Sequence, residues 1–315
     1  MEKIYSMSNA KISEKEQKDK INIDKEEIKI IKKVPKKYRK YLIEFIEVST
    51  QEERNLKSKS KSTIDSYLLD IVQFLNFINY KDKEFLDITS RDINEFKKFL
   101  LNKKRLKVKT INRKLTAINQ FLKSNNIDIM VKQLVEQKQN YLNNILSKEE
   151  IEKILKCCKN NKRDKAIIST LYLTGVRVSE LLQLTVHDVN KKNISIEGKG
   201  GKYRDIFVTK KLSNILNDYL EVRREYPSDK LFIGINGPLK RRSINKIIKK
   251  YAVKAGVKKS KAHPHNLRHV FCKSLADRKV SIEIIADLAG HTDLNTTRIY
   301  TKQTKEELIN ILEDM

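Results

Sequence analysis

Apolar side chains recur at helical spacing along almost the whole 315-residue chain and alternate with a period of two in one place only, which confines the fold to the mainly α class. In residues 62–78, Ile64, Tyr67, Leu68, Ile71, Phe74, Leu75 and Ile78 form one stripe, with Ser62 placed to cap the helix. Ser90 precedes a second helix (Ile93, Phe96, Leu100). Thr110 opens a third (Ile111, Leu115, Ile118, Leu122), whose opposite face carries Asn112, Arg113 and Lys114. From about Tyr38 to Gln137 the spacing predicts a bundle of four or so short helices with the stripes as its core.

Residues 135–146 are polar and amide-rich and read as a linker. Ser147 and Glu150 then have the spacing of a capping box, which predicts a helix from about Lys148 with Ile151, Ile154 and Leu155 inward. The single alternating stretch follows: Ile194 and Ile196, a glycine turn from Gly198 to Gly201, then Ile206 and Val208, a β-hairpin. Helices are expected over 211–224, 241–255 and most of 265–312, and Thr304 with Glu307 makes a second capping box ahead of Leu308, Ile311 and Leu312. The expected organisation is a flexible leader (1–35), a helical bundle (36–134), the linker (135–146), and a second, mainly helical domain with a small antiparallel hairpin (147–315).

A chain of this length can bury two cores. Its formal net charge is +27. Residues 1–33 carry nine Lys and Arg against seven Asp and Glu, residues 34–146 carry 23 against 13, and residues 147–315 carry 35 against 20. Both presumptive domains are therefore basic, as expected if a nucleic acid is gripped from two sides along the polar helix faces. The leader is nearly balanced and poor in large apolar residues, so a disordered or loosely helical solvated tail is expected. No long apolar run or signal-peptide core appears, and an intracellular, cytoplasmic location is expected. Cys157, Cys158 and Cys272 have no metal spacing and read as reduced thiols.

The chemistry concentrates near the end. HPHNLRH (263–269) and LAGHTDLNTTRIYT (288–301) supply His265, Arg268, His291 and Tyr300: a proton shuttle, a phosphate clamp, a second polar group and a phenolic nucleophile. Such a set suits phosphoryl transfer, because a phenol of pKa near ~10 attacks phosphorus well only beside a base and positive charge. LTGVRVSELLQLT (173–185) adds Arg177, and EGKGGKYRD (197–205) adds Lys199. The ordered series Arg177, Lys199, His265-x-x-Arg268, Gly290-His291 and Tyr300 resembles the tyrosine recombinase (phage integrase) family, its compact Xer-like and transposon-resolvase members in particular, across roughly residues 147–305. Ala289 departs from the glycine or leucine-type residue expected before Gly290, and leaves no chemical role empty.

Each residue has a plainer reading beside this one. Arg177 alone is a surface arginine paired with Glu180; with Arg268 it is half of a two-guanidinium clamp on one phosphodiester. Lys199 alone is a solvated turn lysine with Lys202 as a rival, and the GKGGK string lacks the spacing of a nucleotide-binding loop. Four of the five histidines lie in 263–291, yet with Cys272 they show no zinc spacing, and a metal is disfavoured. His269 reads as a structural partner and His187 as a surface residue. Tyr203, the nearest alternative to Tyr300, reads as a groove contact.

The resemblance implies a SAM-like core-binding domain and a catalytic domain that clamp double-stranded DNA, with no cofactor and no metal. It implies attack by Tyr300 on a phosphodiester held by Arg177 and Arg268, protonation of the leaving 5′ oxygen by Lys199, hydrogen-bond and proton traffic through His265 and His291, and a 3′-phosphotyrosyl intermediate. A dimer per site, a tetramer in synapsis, association with a bacterial nucleoid, a heteromeric recombinase partner and a C-terminal helix donated to a neighbouring protomer belong to the same expectation; packing of that helix's apolar stripe on its own domain stands equally beside donation. A type IB topoisomerase-like relaxing enzyme, a nuclease and a non-catalytic DNA-binding protein of the same fold are the alternatives.

Overall fold

The computed structural model describes residues 23–54, 60–136, 144–198, 203–291, 293–302, 309 and 312–313. The chain divides into two compact units, Met1–Lys138 and Gln139–Met315. No described helix is long and apolar enough to cross a membrane.

The first unit is a helical bundle: α1 (Lys25–Ile31), α2 (Arg39–Arg54), α3 (Lys61–Tyr80), α4 (Ser90–Lys98) and α5 (Val108–Ser124). Its core contains the predicted stripes, with Leu68, Ile71, Phe74, Leu75, Phe96 and Leu115 fully buried, together with residues outside them such as Leu42, Phe45 and Phe121. Phe74 meets Phe96 edge-on at 5.2 Å between ring centroids, a favoured aromatic geometry. Three local expectations need correction. Ser60, not Ser62, occupies the N-cap position of α3, and its hydroxyl bonds those of Ser62 and Thr63. Thr110 lies inside α5, which starts at Val108. Of the leader expected to be flexible over 1–35, residues 1–22 lie outside the described residues, whereas the described part carries α1 from an Asp24/Glu27 capping box, with Ile30, Ile31 and Val34 buried in the bundle core. Those apolar residues fix the segment despite its balanced charge.

The polar face of α5 also differs from expectation. Arg113 and Lys114 both donate to the Oδ1 of Asp70 on α3, at 3.0 and 2.7 Å, and Asn112 holds Leu134 through both its amide groups. Asp70 is 3% exposed, so these side chains neutralise a buried carboxylate within the bundle.

The second unit is built around α7 (Lys162–Thr174), which is buried on almost every side and touches α9, α10 and α11. Around it stand α6 (Lys148–Cys157), α8 (Val178–Leu181), α9 (Lys210–Leu220), α10 (Arg241–Lys254), α11 (Pro264–Ala276), α12 (Ile282–Ala289) and α13 (Asn295–Arg298). The Ser147/Glu150 capping box forms as predicted. The hairpin pairs β1 (Asn193–Glu197) with β2 (Tyr203–Phe207) antiparallel, Ile194 opposite Ile206. A second pair, β3 (Ile233–Gly234) and β4 (Gly237–Pro238), had no period-two signal. The predicted helical stretch from 265 is broken by left-handed residues at Lys279 and Gly290. The terminal capping box falls outside the described residues, as does the hairpin tip with Lys199.

Candidate active site

Two left-handed glycines set the site. Gly175 ends α7 with φ 62°, and a Cβ there would strike the Phe271 ring, its Cε1 at 2.9 Å. The turn lets the chain leave α7 sharply and places Arg177 at the N-cap position of α8. Gly290, φ 65°, ends α12 in the same way and leads directly into His291.

Three successive carbonyls at the C-terminal end of α12 each receive an arginine. Leu288 accepts from Arg204 Nη1 at 2.8 Å, Ala289 from Arg268 Nη2, and Gly290 from Arg177 Nη2 at 2.8 Å. These oxygens have no partner within the helix, and the helix dipole makes its end attractive to cations. Arg268 is anchored again by Nη1 on the Gly175 carbonyl at 2.7 Å. It is 2% exposed. Burial and the neighbouring Arg177 lower its pKa to about 10, which still leaves it charged at neutral pH.

The carboxylate of Glu180 binds Arg177 and Arg204 together: Oε1 accepts from Arg177 Nη1 and Oε2 from Arg204 Nη2, each at 2.7 Å. Burial raises the Glu180 pKa, but the two guanidiniums and the Arg177 amide outweigh it and hold the group below the ordinary carboxylate range.

Arg177, His265 and Arg268 wall one cavity of about 290 Å³ with Val176, Val178, Arg241, Asn245, His263 and Pro264. His265 and Arg268 are three residues apart on α11 and so share its cavity side. His263 caps α11 through Nδ1, which accepts from the Asn266 amide at 3.2 Å. Arg241 and Asn245, on the first turns of α10, were not singled out from the sequence; only the basic pair Arg241-Arg242 hinted at them.

Tyr300 is not part of that wall. It is 1% exposed and packs with Cys272, Ile285 and Ala289. Its hydroxyl shares a hydrogen bond with Nδ1 of His269 at 2.9 Å, and its ring stacks on that of His291, centroids 6.1 Å apart. His269 in turn meets the His265 ring edge-on at 4.3 Å, so a file of rings runs from Tyr300 to the cavity. Burial and the Cys272 thiol push the Tyr300 pKa well above that of a free phenol, and burial lifts Cys272 to about 11. Burial, then the surrounding cationic and histidine groups, lower His269 and His291 to about 4 and lower His265 as well, so the rings are neutral acceptors or donors at neutral pH. His291 Nδ1 bonds the Thr297 hydroxyl at 2.8 Å.

Of the six predicted residues, the structure brings five into one neighbourhood, and Lys199 lies outside the described residues. His269, read from sequence as a structural partner, is a direct partner of Tyr300. His187 and Tyr203 are exposed. Among the described residues no group of three or more His, Cys, Asp or Glu is gathered to hold a metal ion.

A family model described as the phage integrase family matches residues 144–307, and one described as its N-terminal SAM-like domain matches 48–126. The chain belongs to the phage integrase family. It is 31% identical over 271 residues to a tyrosine recombinase of Pseudothermotoga lettingae, covering 83% of this chain and 94% of that one. It is 34% identical over 266 residues to the tyrosine recombinase XerA of Pyrococcus horikoshii, covering 82% and 89%. The fold is also that of the XerH site-specific recombinase bound to a palindromic difH substrate in a post-cleavage complex, with a TM-score of 0.66 and 22% identity over 88% of each chain.

Proposed function

We propose that this phage integrase family member cleaves and rejoins DNA through Tyr300, with Arg177 and Arg268 as the clamp on the scissile phosphate. The chain is a site-specific tyrosine recombinase acting on DNA. The observation that carries the assignment of residues is the convergence of Arg177 and Arg268, from separate elements, on one cavity with His265, one ring file away from Tyr300.

Each arginine spends two nitrogens on protein oxygens and keeps further N–H groups for a phosphate. Two such forks on the non-bridging oxygens stabilise the charge of the pentavalent transition state. The phenol oxygen forms the new bond to phosphorus as the P–O5′ bond breaks, the phenolic proton passes to a neighbouring neutral imidazole, and Lys199 gives a proton to the leaving 5′ oxygen. The phosphodiester is conserved as a 3′-phosphotyrosyl ester, so a 5′ hydroxyl from another strand reverses the step without an energy source. The phenol is buried in the free chain, and productive DNA binding draws it from His269 to the cavity.

In this reading residues 36–134 are the core-binding domain, residues 147–315 the catalytic domain, and 135–146 the linker between them. A palindromic target calls for two copies related by a twofold axis, and pairing two such sites gives a tetramer. Association with the nucleoid follows from the substrate, and a heteromeric recombinase partner would occupy the same arrangement. The test uses a nicked duplex target that traps the covalent complex: the wild-type chain forms a protein–DNA adduct and Tyr300→Phe binds the site but forms none. Adduct from Tyr300→Phe at the wild-type rate overturns the assignment.

A further inference from the structure

Arg204 is absent from the clamp and from the cavity wall, yet it touches two of the segments that hold the clamp, Glu180 on α8 and the C-terminal end of α12. It lies on β2 opposite Ile196, on the inward side of the hairpin with Ile206, and its side chain is only 10% exposed. Nη2 donates to Glu180 Oε2 at 2.7 Å and Nη1 to the Leu288 carbonyl at 2.8 Å. Its stem fills the space beside Gly290, where an added Cβ would lie 2.8 Å from Nε and closer still to Cδ. One guanidinium thus joins the hairpin, the carboxylate that orients Arg177, and the carbonyl row that orients both Arg177 and Arg268.

Resting on the reading of the site given above, we propose that Arg204 is a positioning residue for phosphoryl transfer, acting through Glu180 and the C-terminal carbonyls of α12 to aim the Arg177 and Arg268 guanidiniums at the phosphate. Without Arg204, Glu180 keeps only Arg177 as a charged partner and is free to draw it inward, and the Leu288 carbonyl loses its donor. The clamp then meets the phosphate with displaced N–H groups, which affects the transition state more than the bound ground state. Lysine is no substitute, because it has no planar fork to span a carboxylate and a carbonyl.

The test compares the full-length wild-type chain with Arg204→Met, which preserves apolar stem volume against Gly290, and Arg204→Lys, which preserves the charge. Single-turnover adduct formation is measured on two nicked targets, one natural and one with an uncharged methylphosphonate at the scissile position. On the natural target, Arg204→Met is expected to bind within about threefold of wild type and to cleave about 10²-fold more slowly, with little recovery in Arg204→Lys. On the methylphosphonate the deficit should shrink to less than about tenfold, since an uncharged phosphonate asks less of the clamp. A general folding defect would slow both targets equally, so equal deficits overturn the proposal, as does wild-type cleavage by Arg204→Met. Should Arg204→Met fail to fold, the same two-target comparison on Arg204→Lys decides. Tyr300→Phe runs in parallel: adduct from it overturns the site reading itself, whereas its silence beside unimpaired Arg204→Met overturns the positioning role alone.

Discussion

Adding one methyl group at Gly290 should cost more than adding it at Gly256, although both backbones are left-handed. Gly290 has φ 65° and Gly256 has φ 72°, so an alanine at either position carries about 1–2 kcal/mol of backbone strain. Nothing lies within 4 Å of a Cβ built on Gly256, whereas at Gly290 it collides with the Arg204 stem. That stem is tied at its far end to Glu180 and Leu288 and cannot simply swing aside. Overpacking of this kind adds about 1–3 kcal/mol, so Gly256→Ala is expected to lose about 1–2 kcal/mol and Gly290→Ala about 2–5 kcal/mol. Urea unfolding of both variants and the wild type measures the difference. The same substitution at Gly290 should slow adduct formation, because it pushes on the carbonyl row that seats the three arginines, while Gly256→Ala should leave it near wild type. Equal losses of stability at the two glycines would refute the argument that Arg204 is fixed in place.

Two further outcomes are expected. Asp70→Ala leaves Lys114, whose side chain is 12% exposed, without its buried counter-charge and should lose about 2–4 kcal/mol in denaturant unfolding, whereas Lys114→Met, which leaves Asp70 paired with Arg113, should lose less. Stability should also fall with acid: His269 and His291 titrate near 6.5 when unfolded and at about 4 when folded, so between those values the unfolded chain binds more protons. The contribution is complete above pH 6.5 and lost as pH drops toward 4; unfolding measured across that window should show a positive slope with pH that flattens in a His269→Gln, His291→Gln double variant.

Much of the fold was legible because its signals are local. The stripe from Ile64 to Ile78, the Ser147/Glu150 box and the Ile194/Ile206 alternation each lie within a few residues, and each appears where spacing put it. The misreadings have physical causes. Ser60, Ser62 and Thr63 are interchangeable as caps until the backbone chooses one. Arg113 and Lys114 look like a solvent face because their partner, Asp70, sits more than forty residues earlier. The Asp24/Glu27 box was present in the leader, but the surrounding Lys and Glu residues hid the few apolar side chains that anchor it. In the site, the ordered motif gave the residue types, whereas the link between His269 and Tyr300 and the docking of Arg204 on Glu180 and Leu288 arise only when distant segments meet.

The central claim is that Tyr300 becomes the covalent link to DNA. Trapping the adduct on a nicked target, digesting the DNA to a short stub and the protein with trypsin, and reading the modified peptide by mass spectrometry locates that link to one side chain. The stub mass is expected on Tyr300, in the peptide that follows Arg298. A stub on Tyr203 or any other residue, or a cleaved target with no covalently modified peptide, would contradict the account.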